Sequence, residues 1–216
     1  MQSARLWELV IFDCDGVLVD SEPISNRMLA QTLTDFGFPT TYEESVRDYT
    51  GLSSAAWSDL VVRRWGRPVP DDLLGVFQTR VFEAFRQELR PVDGVEDVLR
   101  HLRLPSCVAS SSSPARIHLA LEVTGLLPYF TDRIFSAQAV PRPKPFPDIF
   151  LYVSQQLGVP PAGCVVIEDS VYGVQAAAAA GMAVLGYAER SDRSALAAAG
   201  ATVFHHMRDL PDLIEE

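Results

Sequence analysis

Short apolar runs alternate with segments of helical spacing along most of the chain. The runs are short enough for buried strands, and several are rich in Val, Ile or Phe; they are LWELVIF, SCVAS, RIFSA, CVVIE, AVLGYA and TVFHH. Between them, apolar residues recur three or four positions apart, as in Ile149, Phe150, Val153 and Leu157. We expect Ser170 to cap the Ala-rich helix in VYGVQAAAAAG and Gly181 to end it. The alternation predicts an α/β fold, with a mostly parallel sheet covered by helices on both faces.

Residues 21 to 89 interrupt this alternation, because no strand-like run lies among them. Three apolar faces with helical spacing occur there, formed by Ile24, Met28, Leu29, Leu33 and Phe36, by Ala56, Trp57, Leu60 and Val61, and by Leu74, Phe77, Val81 and Phe85. The sequence therefore predicts an all-helical domain over 21–89, inserted into an α/β domain made of 1–20 and 90–216. The sheet domain is expected to be Rossmann-like.

Composition and charge restrict the partners of this protein. The 216 residues include 48% hydrophobic ones, which is enough for a sizeable core, and the formal net charge is −10. This negative field disfavours nucleic acid or an anionic membrane as a partner. The three cysteines lie far apart in apolar runs, which argues against a disulfide framework or a zinc site. Without a recognisable targeting or membrane-spanning segment, we expect a cytoplasmic protein that is a monomer or weak dimer.

Two acids, Asp13 and Asp15, stand at the end of the first apolar run. Side chains two positions apart on a strand point the same way, and the carboxyl end of a parallel strand is where ligands bind. Two carboxylates about 4 Å apart repel by roughly 4 kcal/mol at an effective dielectric near 20. The pair alone is compatible with two solvated acids in a loop. If both are buried, a cation or a shared proton has to offset the repulsion.

Three further polar groups follow later strand-like runs. Ser110 ends SCVAS, where a hydroxyl and the backbone N–H groups of the next helix can bind an anion. Lys144 lies between two prolines in VPRPKPFPDIF, and Glu168 and Asp169 end CVVIED. Each alone is as well explained by a turn, an exposed lysine or a helix cap. Together with the first acid pair they provide a Mg²⁺ site, a nucleophile, an acid/base and two phosphate stabilisers, which indicates phosphoryl transfer.

The motifs FDCDGVLVDSE, VASSSS, RPKPFPDIF and VVIEDSVYGVQAAAAAGM together resemble those of the haloacid dehalogenase superfamily. The resemblance extends over essentially the whole chain, and it is to the branch of small phosphatases and β-phosphoglucomutases. It implies that Asp13 is a nucleophile that becomes an aspartyl phosphate. It also implies that Asp15 protonates the leaving oxygen, later deprotonates the attacking water, and offers its backbone carbonyl to Mg²⁺.

The same resemblance assigns roles to the other candidates. Ser110 would hydrogen-bond the phosphoryl oxygens, and Lys144 would balance the charge of the nucleophile and the phosphoryl group. Asp169 would ligate Mg²⁺, with Glu168 beside it as a ligand or as a supporting acceptor. The helical insertion would be a cap domain that excludes water and selects the substrate.

The presence of Asp15 favours a phosphate ester as substrate, because expelling an alkoxide needs an acid whereas expelling a halide does not. Phosphoglucomutases of this branch carry a histidine and basic cap residues; here Ser25 and the loop YTGLSSAAW, without Lys or Arg after Arg47, occupy these places. We therefore expect a Mg²⁺-dependent phosphatase acting on a small sugar, polyol or sugar-acid monophosphate. Ser111, Arg80 and Arg116 are candidates for substrate binding.

Two alternatives remain from the sequence. One is a phosphosugar isomerase of the β-phosphoglucomutase type. The other is a non-enzymatic phosphoacceptor of the receiver type, which also places acids, a hydroxyl and a lysine at strand ends. Receivers are about half this length and lack a helical insertion, and their acceptor aspartate ends a middle strand; no aspartate ends SCVAS here.

Overall fold

The structure is a computed structural model that describes residues 7–52 and 54–215. Its described residues form six strands, β1 Leu9–Phe12, β2 Ser106–Ser110, β3 Ile134–Ser136, β4 Cys164–Glu168, β5 Ala183–Tyr187 and β6 Thr202–Phe204. Each predicted run contains one of these strands, so the strand prediction is confirmed. The first run begins at Leu6, which lies outside the described residues.

All pairings between these strands are parallel, and their order in the sheet is β3-β2-β1-β4-β5-β6. Strands β1, β2 and β4 are completely buried, because helices cover both faces at the centre of the sheet. The chain builds outward from β1 to β3 and then returns to add β4 on the other side of β1. This reversal opens a crevice at the carboxyl ends of β1 and β4, the usual ligand position in such sheets.

Ten α-helices occur in the same described ranges: α1 Glu22–Asp35, α2 Tyr42–Tyr49, α3 Ser54–Trp65, α4 Leu73–Glu88, α5 Val95–His101, α6 Pro114–Val123, α7 Asp148–Leu157, α8 Val171–Ala179, α9 Arg193–Ala199 and α10 Leu210–Glu215. The prediction that Ser170 caps α8 is confirmed, since its side chain accepts a hydrogen bond from the Gly173 N–H. The α/β fold class is also confirmed.

The contacts divide the chain into two compact units. One is the sheet unit, with the described residues up to Asp20 and from Arg90 onward, and the other is the helical unit Ser21–Leu89. The helical unit contains α1 to α4. Its role as a cap stays a prediction.

Helix α2 is an element that the apolar pattern did not predict. Its sequence, YEESVRDY, is mostly polar, and it buries only Ser45 and Tyr49. A capping box stabilises its N-terminus. The Thr41 side chain accepts a hydrogen bond from the Glu44 N–H, and the Glu44 carboxylate accepts one from the Thr41 N–H. At the start of α4, Leu73 is fully buried, whereas the predicted core residue Leu74 is only partly buried.

Among the helices of the described chain, none combines the length and the apolar character needed to cross a membrane.

Candidate active site

The first acid of the N-terminal motif lies at the carboxyl end of the central strand. The Asp13 N–H donates to the Ile167 carbonyl at 2.9 Å, which holds its backbone against β4, and its side chain is 10% exposed. The turn that follows uses Gly16 with φ +81°. A Cβ atom at Gly16 would lie 2.1 Å from the Oδ2 atom of Asp169. Glycine is therefore required here for two reasons, the left-handed backbone and the close approach of the Asp169 carboxylate.

Three carboxylates converge in this crevice. Asp13, Glu168 and Asp169 each offer an oxygen, and these atoms lie within 4.8 Å of one another. Glu168 is completely buried and Asp13 nearly so. Hard oxygen donors in a cluster of this kind suit Mg²⁺, so the donor set fits the ion that the sequence predicts. The structure thus provides a buried acidic cluster able to bind a metal.

Lys144 contacts two of these carboxylates. Its Nζ donates to Asp13 Oδ1 at 2.7 Å, to Glu168 Oε1 at 2.5 Å and to the Ala109 carbonyl at 3.2 Å. The ammonium group also lies 5.2 Å from the ring centroid of Phe150. The lysine side chain is only 6% exposed, so Lys144 is buried beside these carboxylates and is not an exposed loop lysine.

Burial and charge oppose each other in this group of side chains. The pKa of Asp13 is raised to about 8. Burial is the largest cause, Lys144 opposes it, and Glu168 and Asp15 add to it. Burial also acts to lower the pKa of Lys144, but the neighbouring Asp13 and Glu168 raise it above its ordinary value. Lys144 is thus shared by two of the three clustered carboxylates, Asp13 and Glu168, in a cluster that could also bind a metal ion.

Glu168 is fixed by the first turn of α8 as well as by Lys144. Its Oε2 atom accepts from the Ser170 N–H at 3.2 Å and from the Ser170 hydroxyl at 3.0 Å. A Cβ atom at Gly173 would lie 2.0 Å from the Glu168 carboxyl carbon. Glycine at this helical position therefore makes room for the buried carboxylate. Both carboxylate oxygens of Glu168 have protein donors, so this residue is well placed to hold Lys144 in position.

The second acid has its own cation. Asp15 Oδ1 accepts from Arg116 Nη2 at 2.8 Å, and its Oδ2 atom is bonded to the Ser112 hydroxyl at 2.6 Å. The adjacent acids thus have separate basic partners, Lys144 for Asp13 and Arg116 for Asp15. Sequence reasoning did not identify Ser112, because four consecutive serines provide no signal that distinguishes one from another.

The remaining predicted residues lie in different surroundings. Ser110 is 1% exposed, and its Oγ accepts from the Ser112 N–H at 3.0 Å, whereas Ser111 is exposed. In the helical unit, Arg80 pairs with Asp35 at 2.7 Å. It lines a surface groove of about 530 Å³ together with Arg27 and other residues of that unit. Substrate binding by Ser111, Arg80 and Arg116 stays a prediction.

Comparison with known proteins identifies the class that this fold and site define. A model of the haloacid dehalogenase-like hydrolase family matches residues 7–181. The chain is 29% identical over 207 residues to 6-phosphogluconate phosphatase of Escherichia coli, covering 95% of this chain and 94% of that protein. It is 31% identical over 224 residues to a phosphorylated carbohydrates phosphatase of Thermotoga maritima, covering 97% and 99% respectively. A solved structure of a haloacid dehalogenase-like protein from Agrobacterium tumefaciens superposes with a TM-score of 0.84 at 38% identity, covering 96% and 97%.

The chain therefore belongs to the haloacid dehalogenase-like hydrolases. The predicted superfamily and the predicted enzyme class, a phosphatase, are both confirmed. The receiver-type phosphoacceptor was the wrong alternative, since the chain is an enzyme. The mutase alternative differs from hydrolysis in the fate of the phosphoryl group.

Proposed function

We propose that this enzyme hydrolyses a small phosphomonoester, a sugar, polyol or sugar-acid phosphate, in a Mg²⁺-dependent reaction with a phosphorylated Asp13 as intermediate. The observation that carries the proposal is the position of Asp13. Its carboxylate lies at the switch point of the sheet, bonded through Oδ1 to Lys144 at 2.7 Å and clustered with Glu168 and Asp169. This arrangement provides a nucleophile in a largely dry crevice, with positive charge beside it.

In the first chemical step, an oxygen of Asp13 forms a bond to phosphorus while the bond from phosphorus to the ester oxygen breaks. Asp15 donates a proton to the departing oxygen, so the product leaves as an alcohol. In the second step, Asp15 removes a proton from a water molecule. The water oxygen then bonds to phosphorus while the bond between the Asp13 oxygen and phosphorus breaks. The products are the free Asp13 carboxylate and inorganic phosphate.

The surrounding residues stabilise the phosphoryl group during both steps. Lys144 balances negative charge on Asp13 and on the phosphoryl oxygens, and Glu168 keeps the lysine in place. The Ser110 hydroxyl is a donor for a phosphoryl oxygen at the end of β2. Asp13, Asp169, the Asp15 backbone carbonyl and, as a ligand or a supporting acceptor, Glu168 would hold the metal. A bound Mg²⁺ would supply positive charge that offsets the charge of the phosphoryl oxygens.

The substrate class follows from the relatives and from the residues of the helical unit. The named relatives act on 6-phosphogluconate and on phosphorylated carbohydrates. The segment between Arg47 and Trp57 contains no Lys or Arg with which to bind a second phosphate. This composition supports a substrate with one phosphate and a hydroxyl-rich remainder.

The test is a release assay for inorganic phosphate with purified enzyme, Mg²⁺ and a panel of about 100 phosphate esters. We expect sugar, polyol or sugar-acid phosphates to be hydrolysed fastest, and Asp13→Asn to be inactive on all of them. If no ester in the panel releases phosphate, the proposed function is wrong.

A second assay distinguishes the mutase alternative. Glucose 1-phosphate is supplied with a glucose bisphosphate primer, and both glucose 6-phosphate and inorganic phosphate are measured. We expect phosphate to exceed glucose 6-phosphate. Predominant formation of glucose 6-phosphate would instead identify a β-phosphoglucomutase-type isomerase.

A further inference from the structure

The carboxylate of Asp15 is bonded at both of its oxygens by side chains from one segment of the sheet unit. Arg116 Nη2 donates to Oδ1 at 2.8 Å, and the Ser112 hydroxyl is 2.6 Å from Oδ2. The Arg116 and Asp15 side chains are only 18% and 17% exposed. Contacts at both oxygens oppose rotation of the carboxyl group about its bond to the side chain. Asp15 therefore has a defined orientation.

The segment that carries these two side chains is itself anchored. The Ser112 N–H donates to the Ser110 hydroxyl at 3.0 Å, and its carbonyl accepts from the Ser136 hydroxyl at 2.7 Å. The segment is thus attached to the ends of β2 and β3. Arg116 lies in the first turn of α6, where its N–H donates to the capping Ser113 side chain at 3.4 Å. The side chains that bind Asp15 are thus carried by a segment that is hydrogen-bonded to two strands and to the start of α6.

Burial makes Arg116 a poor receptor for a substrate anion. Its guanidinium is largely withdrawn from solvent and is bonded to a carboxylate. Turning it toward a substrate would leave Asp15 as a partly buried charge without this partner, which is costly. Arg116 instead makes a charge-assisted hydrogen bond to Asp15. Through this bond it can influence the reaction indirectly, by acting on Asp15.

We propose that Arg116, assisted by Ser112, is a positioning residue that orients the Asp15 carboxyl group for proton transfer to the leaving oxygen. This inference rests on the proposed function and deepens it, because it assigns to Arg116 a task other than substrate binding. The step it serves is the transfer of one proton from the carboxylic acid form of Asp15 to the ester oxygen as the bond between that oxygen and phosphorus breaks. The carboxylate left on Asp15 regains a proton from the attacking water in the second step.

The experiment compares Arg116→Ala, Arg116→Lys, Asp15→Asn and the double variant Arg116→Ala/Asp15→Asn. Two substrates are used, p-nitrophenyl phosphate and the sugar or polyol phosphate that the unaltered enzyme hydrolyses fastest. The first has a leaving group that needs little protonation, and the second expels an alkoxide that needs an acid. Arg100→Ala is the matched control, since Arg100 belongs to the same unit, is about half exposed and pairs with Glu96 and Asp97.

For Arg116→Ala we expect kcat on the alkyl ester to fall by about 10²-fold, the lower end of what general acid–base catalysis contributes, with KM changed less than about threefold. The loss on p-nitrophenyl phosphate should be less than about fivefold. Arg116→Lys should recover part of the activity, because it keeps the charge near Asp15. The double variant should be no slower than Asp15→Asn alone, since both substitutions impair the same step. Arg100→Ala should behave as the unaltered enzyme.

Other results would overturn the inference. A rise in KM with unchanged kcat would mean that Arg116 binds substrate. Equal losses on both substrates, or a double variant whose loss is the product of the single losses, would mean that Arg116 does not act through Asp15. If Arg116→Ala does not fold, the same comparisons are made with Arg116→Lys. If the unaltered enzyme releases no phosphate from any ester, the proposed function is wrong. If the unaltered enzyme is active but the variants give one of the results above, only the role of Arg116 is wrong.

Discussion

At the scale of single residues, the site is a set of ion pairs between acidic and basic side chains. Asp13 bonds to Lys144 and Asp15 bonds to Arg116, although the two acids are separated by one residue. Glu168 shares Lys144 with Asp13. Asp169 offers an oxygen within 4.8 Å of an oxygen of Asp13 and of Glu168. The three clustered carboxylates could therefore bind a metal ion beside Lys144.

The first prediction concerns the nucleophile. We expect Asp13→Asn to reduce phosphate release by at least about 10³-fold, because the amide cannot form the phosphorylated intermediate. The free energy of unfolding should change by no more than about 1 kcal/mol, since the amide keeps the shape and Lys144 retains Glu168 as partner. Activity is measured by phosphate release and stability by urea unfolding. The control is Asp97→Asn, which changes an exposed side chain on α5. Residual activity of Asp13→Asn above about 1% of the unaltered enzyme would contradict a nucleophilic role.

At the scale of secondary-structure elements, strand ends and helix starts place the chemistry. Strand β4 ends on Glu168, and two residues later Ser170 caps α8, which begins at Val171. The same serine hydroxyl accepts from the Gly173 N–H and donates to Glu168. The start of α8 is therefore also the support of the buried carboxylate, and a change in this turn affects both stability and the site.

The second prediction tests this turn with Gly173→Ala. The added Cβ would meet the Glu168 carboxyl carbon at 2.0 Å, so we expect the free energy of unfolding to fall by about 1–3 kcal/mol. Urea unfolding followed by circular dichroism measures it. The matched control is Gly75→Ala in α4, where a Cβ would meet no atom of the described residues within 4 Å. That substitution should raise stability by about 0.5–1 kcal/mol. A stabilised Gly173→Ala variant would contradict the packing argument.

The third prediction concerns α2, which its capping box stabilises. Removing the Thr41 side chain by Thr41→Ala should cost about 1 kcal/mol of helix stability. Hydrogen exchange of the α2 amides is the measurement, because it reports on this helix separately from the rest of the chain. Glu43→Ala, an exposed neighbour in the same turn, should leave the exchange rates nearly unchanged. Equal rates in Thr41→Ala and the unaltered protein would show that packing, and not the cap, holds the helix.

At the scale of the whole molecule, the order of strands brings distant parts of the chain together. Asp13 and Lys144 are 131 positions apart, and Asp15 and Arg116 are 101 apart. Parallel strands place their carboxyl ends at one edge of the sheet, and β1 lies between β2 and β4. The site can therefore exist only when the sheet unit is folded, and an ion bound there should stabilise that fold.

The fourth prediction follows from this coupling between metal binding and folding. Mg²⁺ in about 100-fold excess over its dissociation constant should stabilise the protein by about 2.7 kcal/mol, and the thermal midpoint should rise accordingly. Chelation should abolish both the rise and the phosphatase activity, and added Mg²⁺ should restore them. Asp169→Asn should lose the rise in midpoint, whereas Asp97→Asn should keep it. A thermal midpoint that does not respond to Mg²⁺ would contradict a metal site in this crevice.

The alternation of apolar runs and helical segments was sufficient to predict the six strands and the α/β class, because a buried parallel strand has to be apolar throughout. The positions of Asp13, Ser110, Glu168 and Asp169 could also be predicted from the sequence, because residues at the carboxyl end of a buried parallel strand lie at the ligand-binding edge of the sheet. Lys144 instead lies in the loop between β3 and α7. Helix α2 could not, since its stability comes from Thr41 and Glu44 and not from an apolar face.

Only the tertiary structure decided which charged side chains pair with each other. The sequence alone predicted that Asp13 and Asp15 end the first apolar run and need a compensating charge if both are buried. It did not predict that Arg116 and Ser112 bind Asp15 while Lys144 binds Asp13 and Glu168. These pairings depend on which strands are neighbours and on how α6 and α8 begin. The physical reason is that composition and periodicity report burial along the chain, whereas an ion pair depends on distances in space between residues that are far apart in sequence.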